Sequence, residues 1–414
     1  MKTRLKDIKI LQGDKVIWSI YIILILISMF SVASAINNAV INKAHGSFMP
    51  LIAKHGFMLT LGFCCCFFFH KTDVNKYSRY NKIFMYVSIA LLVAPLIFYW
   101  PNISEARWLG FTFFRFQPSE IAKYVLIFYL CKQMDVHKND INDTNLYNRL
   151  LGLLVLVCGL IFLPNFSTSV MVFFVCFFLL LAGGINKKKW IITFLLVLAL
   201  LALGLVIIKT SPQILSVLPR GQTWANRVNN YGGGDVTQIT QSNQARMAIA
   251  AGGFWGRFFG NSVMSPFLDE GHNDFIFAIM LEEGGIIWCF FILFLYFVLF
   301  ARIFNVSKQA DTIFESLLCL GIASMIAVQT IINMTVTVGI IPVTGQTLPF
   351  ISYGGTSFVI TSSFLGMVIN ISAKNKKRIL LEKQKDAQKQ QVNKENDSQT
   401  DFENQQEVLN ENGD

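Results

Sequence analysis

The sequence predicts an all-α polytopic membrane protein, and two observations carry that prediction. The chain has 414 residues, of which 53% are hydrophobic and only 14% are charged. Soluble domains ordinarily carry about 25% charged residues. In addition, ten apolar segments of the chain approach the roughly 20 residues that a helix needs to cross a bilayer. We therefore expect about ten transmembrane helices, with one large extracytoplasmic loop between spans seven and eight.

The ten predicted spans define the organisation of the chain. Their approximate boundaries are 16–36, 50–69, 83–100, 118–132, 149–163, 167–184, 190–208, 275–303, 312–333 and 353–372. The chain then divides into an N-terminal segment 1–15, a membrane domain 16–373 with a long polar loop 209–271, and a tail 374–414. The tail is polar and low in complexity, which predicts disorder, or helix close to the membrane.

Lys and Arg are distributed unequally between the two sides of the predicted membrane domain. If the N-terminus is inside and residues near the ends of spans are counted with the nearer side, that side carries 25 of the 35 Lys and Arg residues, the opposite side carries 9 including Lys54, and Lys123 lies within a span. The positive-inside rule then predicts that both termini are cytoplasmic and that the loop 209–271 is extracytoplasmic. The net charge of +10 is explained by this orientation and does not require a nucleic-acid partner.

An acidic stretch lies where the long loop meets the eighth apolar segment. Asp269, Glu270 and Asp274 fall within six residues, and an unbroken apolar run follows Asp274. An ionisable residue at such a boundary is a functional-site hypothesis by default, because the membrane disfavours its charge. The alternative is an interfacial helix N-terminus, at which the helix dipole favours Asp274. The residues alone leave both interpretations open.

Glu282 and Glu283 follow Asp274 within the same apolar segment. On a straight helix they lie about 80° and about 180° around the axis from Asp274. One helix therefore cannot direct all three acids at one substrate. We expect Glu282 and Glu283 to fix this helix to its neighbours.

Two further polar groups precede these acids in the chain. Glu120 and Lys123 are three residues apart at the start of the fourth span, where they share one helical face. They are either substrate contacts, together with Gln117, or a pair that neutralises itself so that the helix can insert. Arg107 offers bidentate binding to phosphate, whereas Arg107 with Trp108 would also suit an interfacial anchor.

Glycines mark two places where the backbone is expected to be irregular. Pro349 and several glycines open the last span, and irregular backbone at membrane depth is tolerated only where it is buried or lines a wet cavity. Gly354 and Gly355 are therefore expected to form a cavity wall, whereas Gly366 is expected to be an ordinary small contact. The loop segment 252–256 either approaches a sugar or lipid headgroup or packs as a structured loop on the membrane surface.

Three of these stretches together resemble one family. Leu348–Ser357 resembles the signature of the SEDS family (shape, elongation, division and sporulation), Gln117–Lys123 its second motif, and His272–Glu283 its catalytic motif. They occur in the order found in that family, Arg107 matches the stretch before the second motif, and the resemblance covers residues 16–373. The stretch 260–263 is more similar to division members of the family than to elongation members.

The resemblance implies a function and a set of site residues. It implies a peptidoglycan glycosyltransferase of the bacterial cytoplasmic membrane that polymerises lipid II, an undecaprenyl-diphosphate-linked disaccharide peptide, during septal cell-wall synthesis. Asp274 would be the catalytic general base, because joining sugars requires removal of a proton from an acceptor hydroxyl. Arg107 and Lys123 would stabilise the leaving diphosphate. The implied substrate-binding residues are Arg107, Lys123, Glu120, Gln117, Ser352, Tyr353, Gly354 and Gly355.

The sequence departs from the family pattern at three positions. Asn273 stands where the family usually has Thr, and Leu281 where it usually has Gly. Asn165 occupies a position that often carries an acid, so that no carboxylate is available there. These departures leave Asp274 in place, but they put a functional role of the region around Asn165 in doubt.

The expected cofactors and partners follow from the same reasoning. A divalent cation, Mg²⁺ or Mn²⁺, is a candidate to help the diphosphate leave, whereas no nucleotide cofactor is expected because the chain has no Walker loop and no dinucleotide fingerprint. The resemblance implies a class B penicillin-binding transpeptidase and other divisome proteins as partners. Two other functions fit the spans and the intramembrane charges, namely a lipid II flippase and a non-catalytic divisome scaffold.

Overall fold

Twelve helices and one short hairpin make up the described part of the chain. The computed structural model describes residues 11–43, 48–99, 107–111, 114–210, 241–268, 271–353 and 355–411. The helices are α1 (Lys15–Lys43), α2 (Phe48–Lys71), α3 (Val74–Ser78), α4 (Asn81–Phe98), α5 (Pro118–Val136), α6 (Thr144–Phe162), α7 (Phe166–Ala182), α8 (Lys187–Thr210), α9 (Gln241–Gly252), α10 (Ile276–Lys308), α11 (Ile313–Val338) and α12 (Thr356–Glu411). Strands β1 (Leu109–Phe111) and β2 (Phe114–Phe116) pair antiparallel, and short 3₁₀ turns occur at Lys138–Asp140 and Ser265–Phe267.

Each of the ten predicted spans coincides with a helix of this bundle, and the all-α polytopic class is confirmed. Within the described residues, seven helices are long and apolar enough to cross a membrane, and α7 is a shorter apolar helix. The helix ends follow from local sequence: Pro118 occupies the first turn of α5, a position that suits its missing N–H. Gly339 ends α11 in the left-handed conformation with φ +82°, which glycine adopts without strain.

The tail differs from the predicted disorder. Helix α12 continues without interruption to Glu411. Lys, Gln and Glu dominate this stretch, and these residues have high helix propensity. No glycine or proline occurs between Gly366 and Gly413 to end the helix earlier.

Helix α11 lies at the centre of the bundle, packed against α5, α7, α10 and α12. Helix α12 packs mainly against α2, and glycines allow that close approach. A Cβ on Gly366 would lie 2.3 Å from the Cys66 carbonyl oxygen, and a Cβ on Gly62 would lie 2.4 Å from the Phe358 ring. The expectation that Gly366 is an ordinary small contact is wrong, because the backbone of α2 occupies the space that a side chain would need.

Helix α10 is interrupted at Gly285, whose φ of 69° and ψ of −170° are not helical. The loop segment 252–256 fills the interruption: the Ile286 N–H donates to the Gly253 carbonyl oxygen at 3.2 Å, and the Arg257 N–H donates to the Glu282 carbonyl oxygen at 2.9 Å. The glycines of this loop therefore permit close approach to the backbone of α10. Of the two interpretations of the segment 252–256, the structure supports the structured loop.

The polar ends of several elements meet at one end of the bundle. Helices α2, α5, α7, α10 and α12 begin there, α11 ends there, and the hairpin lies beside them. The long loop joins the bundle at this same end, since it runs from the end of α8 to the start of α10. The residues 211–240 of that loop lie outside the described part of the chain.

Candidate active site

A polar cavity of about 520 Å³ opens at this end of the bundle. Six residues predicted from the sequence line it, namely Arg107, Gln117, Glu120, Asp274, Tyr353 and Gly355. Lys123 and Ser352 are buried and are not among the lining residues. Gly354 lies outside the described residues, as do Asp269 and Glu270.

Asp274 lies two residues before α10 begins. It is partly exposed, whereas the stretch 275–283 that follows it is buried. The side-chain amide of Asn333 on α11 donates to the Asp274 carbonyl oxygen at 2.8 Å and to the Gln346 carbonyl oxygen at 2.7 Å. One amide group therefore joins the turn that carries Asp274 to the segment between α11 and α12.

Asp274 and Arg107 converge on one glycine. Gly345 has a φ of +69°, and a Cβ built on it would lie 3.4 Å from Asp274 Oδ2 and 3.8 Å from Arg107 Nη2. The absence of a side chain at Gly345 leaves room beside both groups. This position of Arg107 at the cavity supports a ligand-binding role more than that of an interfacial anchor.

The segment 339–355, apart from Gly354, has irregular backbone that is held by side chains of the helices. The side-chain amide of Gln329 on α11 donates to the Thr347 carbonyl oxygen at 3.0 Å. Ser352 accepts from the Leu348 N–H at 2.7 Å, which stabilises the turn from within. The prediction of broken helix at the cavity is confirmed, and the structure places Ser352 inside the turn rather than on its surface.

Tyr353 lies where this segment meets the turn that carries Asp274. Its N–H donates to the His272 carbonyl oxygen at 3.0 Å, and its ring lines the cavity. The Tyr353 hydroxyl oxygen is buried and has no hydrogen-bond partner within the part of the chain that the structure describes. Because buried polar groups are normally satisfied, this hydroxyl is suited to bond with a group that enters the cavity.

Glu120 and Lys123 form a buried ion pair behind the cavity. Lys123 Nζ lies 2.8 Å from Glu120 Oε2 and 2.9 Å from the side-chain oxygen of Gln329, and the Lys123 side chain is 0% exposed. Ser357 also donates to Glu120. Lys123 therefore neutralises Glu120, as one of the two sequence interpretations proposes, and it does not itself face the cavity.

Glu282 and Glu283 bind the loop that packs on α10. Glu282 accepts from the Val263 N–H at 2.8 Å and from the Ser262 hydroxyl. Glu283 accepts from the Gly260 N–H at 3.2 Å and from the Ser34 hydroxyl on α1. The expectation that these two acids fix the helix to its neighbours is confirmed.

Several polar residues that the sequence analysis did not single out belong to the site. Lys54, His55 and Arg115 line the cavity, and Gln329 and Asn333 support its wall. The last two had a recognisable signal, because two amides four residues apart lie on one face of a predicted span. Lys54 and Arg115 had no such signal, since their position depends on how α2 and the hairpin pack against α12.

The charged residues around the cavity favour an anionic ligand. Three cations, Lys54, Arg107 and Arg115, share the lining with two carboxylates, Glu120 and Asp274. Lys123 already neutralises Glu120, so cations outnumber carboxylates along the rest of the lining. Guanidinium groups bind phosphate oxygens in a bidentate manner, and a diphosphate is a ligand of matching charge.

Asn165 and Asn273, which depart from the family pattern, both line this cavity. Asn165 caps α7, where its side-chain oxygen accepts from the Thr168 N–H at 3.3 Å. Asn165 therefore has a structural role at the cavity and contributes no carboxylate to it.

The sequence and the fold both assign the chain to a known family. The family of cell cycle proteins that comprises FtsW, RodA and SpoVE matches residues 14–377. The chain belongs to this family, whose members the SEDS motifs above resemble.

Relatives within the family share about a third of their residues with this chain. A probable peptidoglycan glycosyltransferase FtsW of Wigglesworthia glossinidia brevipalpis is 30% identical over 376 residues, which cover 89% of this chain and 96% of that protein. The corresponding FtsW proteins of Enterococcus hirae and Bacillus subtilis strain 168 are 33% and 31% identical, over 70% and 73% of this chain and 72% and 77% of their own lengths.

Solved structures support the same fold. A chain of a peptidoglycan synthase complex superposes with a TM-score of 0.69 at 23% identity, covering 88% of this chain and 98% of that one. The rod shape determining protein RodA of Thermus thermophilus gives a TM-score of 0.62 at 22% identity, covering 87% and 96%. The protein is therefore a multi-pass membrane protein of this fold.

Proposed function

We propose that this protein is a peptidoglycan glycosyltransferase that polymerises lipid II into glycan strands. The observation that carries the proposal is the convergence of the Asp274 carboxylate and the Arg107 guanidinium on Gly345, inside a polar cavity. A base and a cation beside the same space suit a reaction that removes a proton and releases an anion. The names of the FtsW relatives support the same reaction class.

In this mechanism Asp274 accepts the proton of the acceptor sugar hydroxyl. The hydroxyl oxygen then forms a bond to the anomeric carbon of the donor sugar. The bond between that carbon and the diphosphate oxygen breaks, and its electron pair leaves with the lipid-linked diphosphate. Arg107, together with Lys54 and Arg115, stabilises the charge that develops on the departing group.

A divalent cation fits this donor set. Within the described residues, no group of three or more His, Cys, Asp and Glu side chains could hold a metal ion. Mg²⁺, however, is commonly held by one or two carboxylates together with substrate phosphates and water. Asp274 would hold such an ion, which would neutralise charge on the diphosphate.

The location and the partners belong to the same proposal. The distribution of Lys and Arg supports cytoplasmic termini, which would place the cavity at the extracytoplasmic face. The similarity to FtsW proteins supports a role at the division septum. The structural likeness to a chain of a peptidoglycan synthase complex supports a class B penicillin-binding transpeptidase as the partner that cross-links the product.

A polymerisation assay tests the proposal. The purified protein is combined with a class B penicillin-binding transpeptidase and supplied with lipid II, and the products are separated on a gel. We expect a ladder of glycan strands from the wild-type protein and none from Asp274→Asn. Translocation of lipid II across vesicles without any polymer, at equal rates for both proteins, would contradict the proposal and support a flippase.

A further inference from the structure

His55 is a buried imidazole on α2 that the mechanism above does not use. It is 3% exposed and lines the cavity. A polar group in an apolar span is costly unless it is hydrogen-bonded. Its bonding partners therefore show what the ring does there.

Ser28 on α1 connects His55 to the segment 339–355. The Ser28 hydroxyl donates to the Ile351 carbonyl oxygen at 2.7 Å, and Ser28 Oγ lies 3.1 Å from His55 Nε2. A hydroxyl has one proton. Since that proton goes to Ile351, Ser28 accepts from His55, and the ring carries its proton on Nε2.

Tyr353 provides a second contact between His55 and the same segment. The ring centroids of His55 and Tyr353 are 5.3 Å apart, and the ring centroid of His272 lies 5.4 Å from that of Tyr353. The Tyr353 N–H also donates to the His272 carbonyl oxygen, two residues before Asp274. His55 thus reaches the segment at Ile351 through Ser28 and contacts it directly at Tyr353, which is hydrogen-bonded to the turn that carries Asp274.

We infer that His55 is a positioning residue for Asp274, acting through Ser28, Ile351 and Tyr353; the inference rests on the proposed function. The hydrogen bond from Nε2 to Ser28 fixes the His55 ring. The ring in turn holds Tyr353 in place, and the Tyr353 N–H holds the turn that carries Asp274. A displacement of about 1 Å at a reacting group can reduce the rate by about 10²-fold. His55 therefore controls the rate through the placement of the carboxylate.

Four variants test this role in the polymerisation assay. His55→Leu removes the donor, Ser28→Ala removes the link, and their combination removes both. His55→Gln is the conservative variant, because a glutamine amide reaches the place of Nε2. His70→Leu is the matched control, since His70 is also a buried histidine of α2 but lies near its other end, where it accepts from the Gln12 N–H at 3.3 Å.

We expect His55→Leu and Ser28→Ala each to lower kcat about 10- to 100-fold while KM for lipid II changes little. The double variant should be no slower than the slower single variant, because both changes break the same link. His55→Gln should retain most of kcat, and His70→Leu should change the amount of folded protein without changing kcat.

Any one of the following results would overturn the inference. A rise in KM with normal kcat would make His55 a substrate-binding residue. Equal loss in His55→Gln and His55→Leu would show that the hydrogen bond to Ser28 carries none of the effect, and additive single effects would show that Ser28 and His55 act independently. If the wild-type protein makes no polymer, the proposed function fails and this inference fails with it, whereas normal kcat in His55→Leu contradicts this inference alone.

Discussion

Two groups of acids lie at opposite ends of the same short buried stretch, 275–283, and they have different surroundings. Asp274 is partly exposed at the cavity, close to Arg107. Glu282 and Glu283 are 0% and 1% exposed and accept hydrogen bonds from the loop beside α10. The two glutamates are buried away from the cavity and bind the loop, so their role is structural, whereas the Asp274 carboxylate lies at the cavity, where a ligand can reach it.

The largest effect is expected at Asp274. Asp274→Asn keeps the shape but cannot accept a proton, so polymerisation should fall by about 10²–10⁴-fold with little loss of folded protein. Gel analysis of glycan products, normalised to the amount of protein in the membrane, measures this. If Asp274→Asn makes long glycan at a near-normal rate, Asp274 is not the proton acceptor and does not differ in this respect from Glu282 and Glu283.

Glu120 is an intermediate case, because it lines the cavity and yet is paired with Lys123. Lys123→Met should destabilise the protein by about 3–5 kcal/mol, since it leaves Glu120 buried without its cation. The double variant Lys123→Met with Glu120→Gln should recover much of that loss. Thermal unfolding in detergent measures both, and a Lys123→Met protein of full stability but reduced turnover would instead support a direct role in binding diphosphate.

A variant of Glu282 tests whether the buried acids of α10 stabilise the fold. Glu282→Gln should lower the free energy of unfolding by about 1.5–3 kcal/mol for each charge-assisted bond that it loses. Turnover per folded molecule should change less than stability does, because the acid does not line the cavity. Membrane abundance and turnover measured on the same preparation separate the two effects, and normal abundance with abolished turnover would place Glu282 in the chemistry.

Arg107 tests whether the cation beside Asp274 binds substrate. Arg107→Lys keeps the charge but loses the planar fork, so turnover should fall by about tenfold or more, because one charge-assisted bond is worth about 1.5–3 kcal/mol and about 1.4 kcal/mol corresponds to tenfold. If Arg107 is only an interfacial anchor, the variant protein will insert less well but will turn over normally per molecule.

The smallest effect is expected at the glycines of the cavity wall. Gly345→Ala and Gly355→Ala both impose a left-handed backbone on a residue with a Cβ, at about 1–2 kcal/mol each. Only the methyl group at Gly345 enters the space beside Asp274 and Arg107, because a Cβ on Gly355 meets nothing within 4 Å. Gly345→Ala should therefore lower turnover several-fold more than the control Gly355→Ala does. Equal turnover of the two variants would mean that the reacting groups do not meet at Gly345.

Much of the fold was predictable because hydropathy and helical spacing are local properties. Apolar length places a helix at each of the ten spans, and three-residue spacing pairs Glu120 with Lys123. Other predictions were wrong or incomplete where a distant contact decides the outcome. Gly366, for example, is crowded by the backbone of α2. The tail is a separate case, because the helix propensity of Lys, Gln and Glu, which is also local, favours a helix although the polar composition suggests disorder.

The order of residues alone is enough to establish the spans, the position of Asp274 at an apolar boundary, and the family to which the chain belongs. The surroundings of Asp274, in contrast, depend on how the helices pack. The decisive bonds join residues far apart in the chain: Asn333 to Asp274 over 59 positions, Lys123 to Gln329 over 206, and Ser28 to Ile351 over 323. Periodicity reports which face of a helix is apolar, but packing against other helices determines which polar atoms meet on that face.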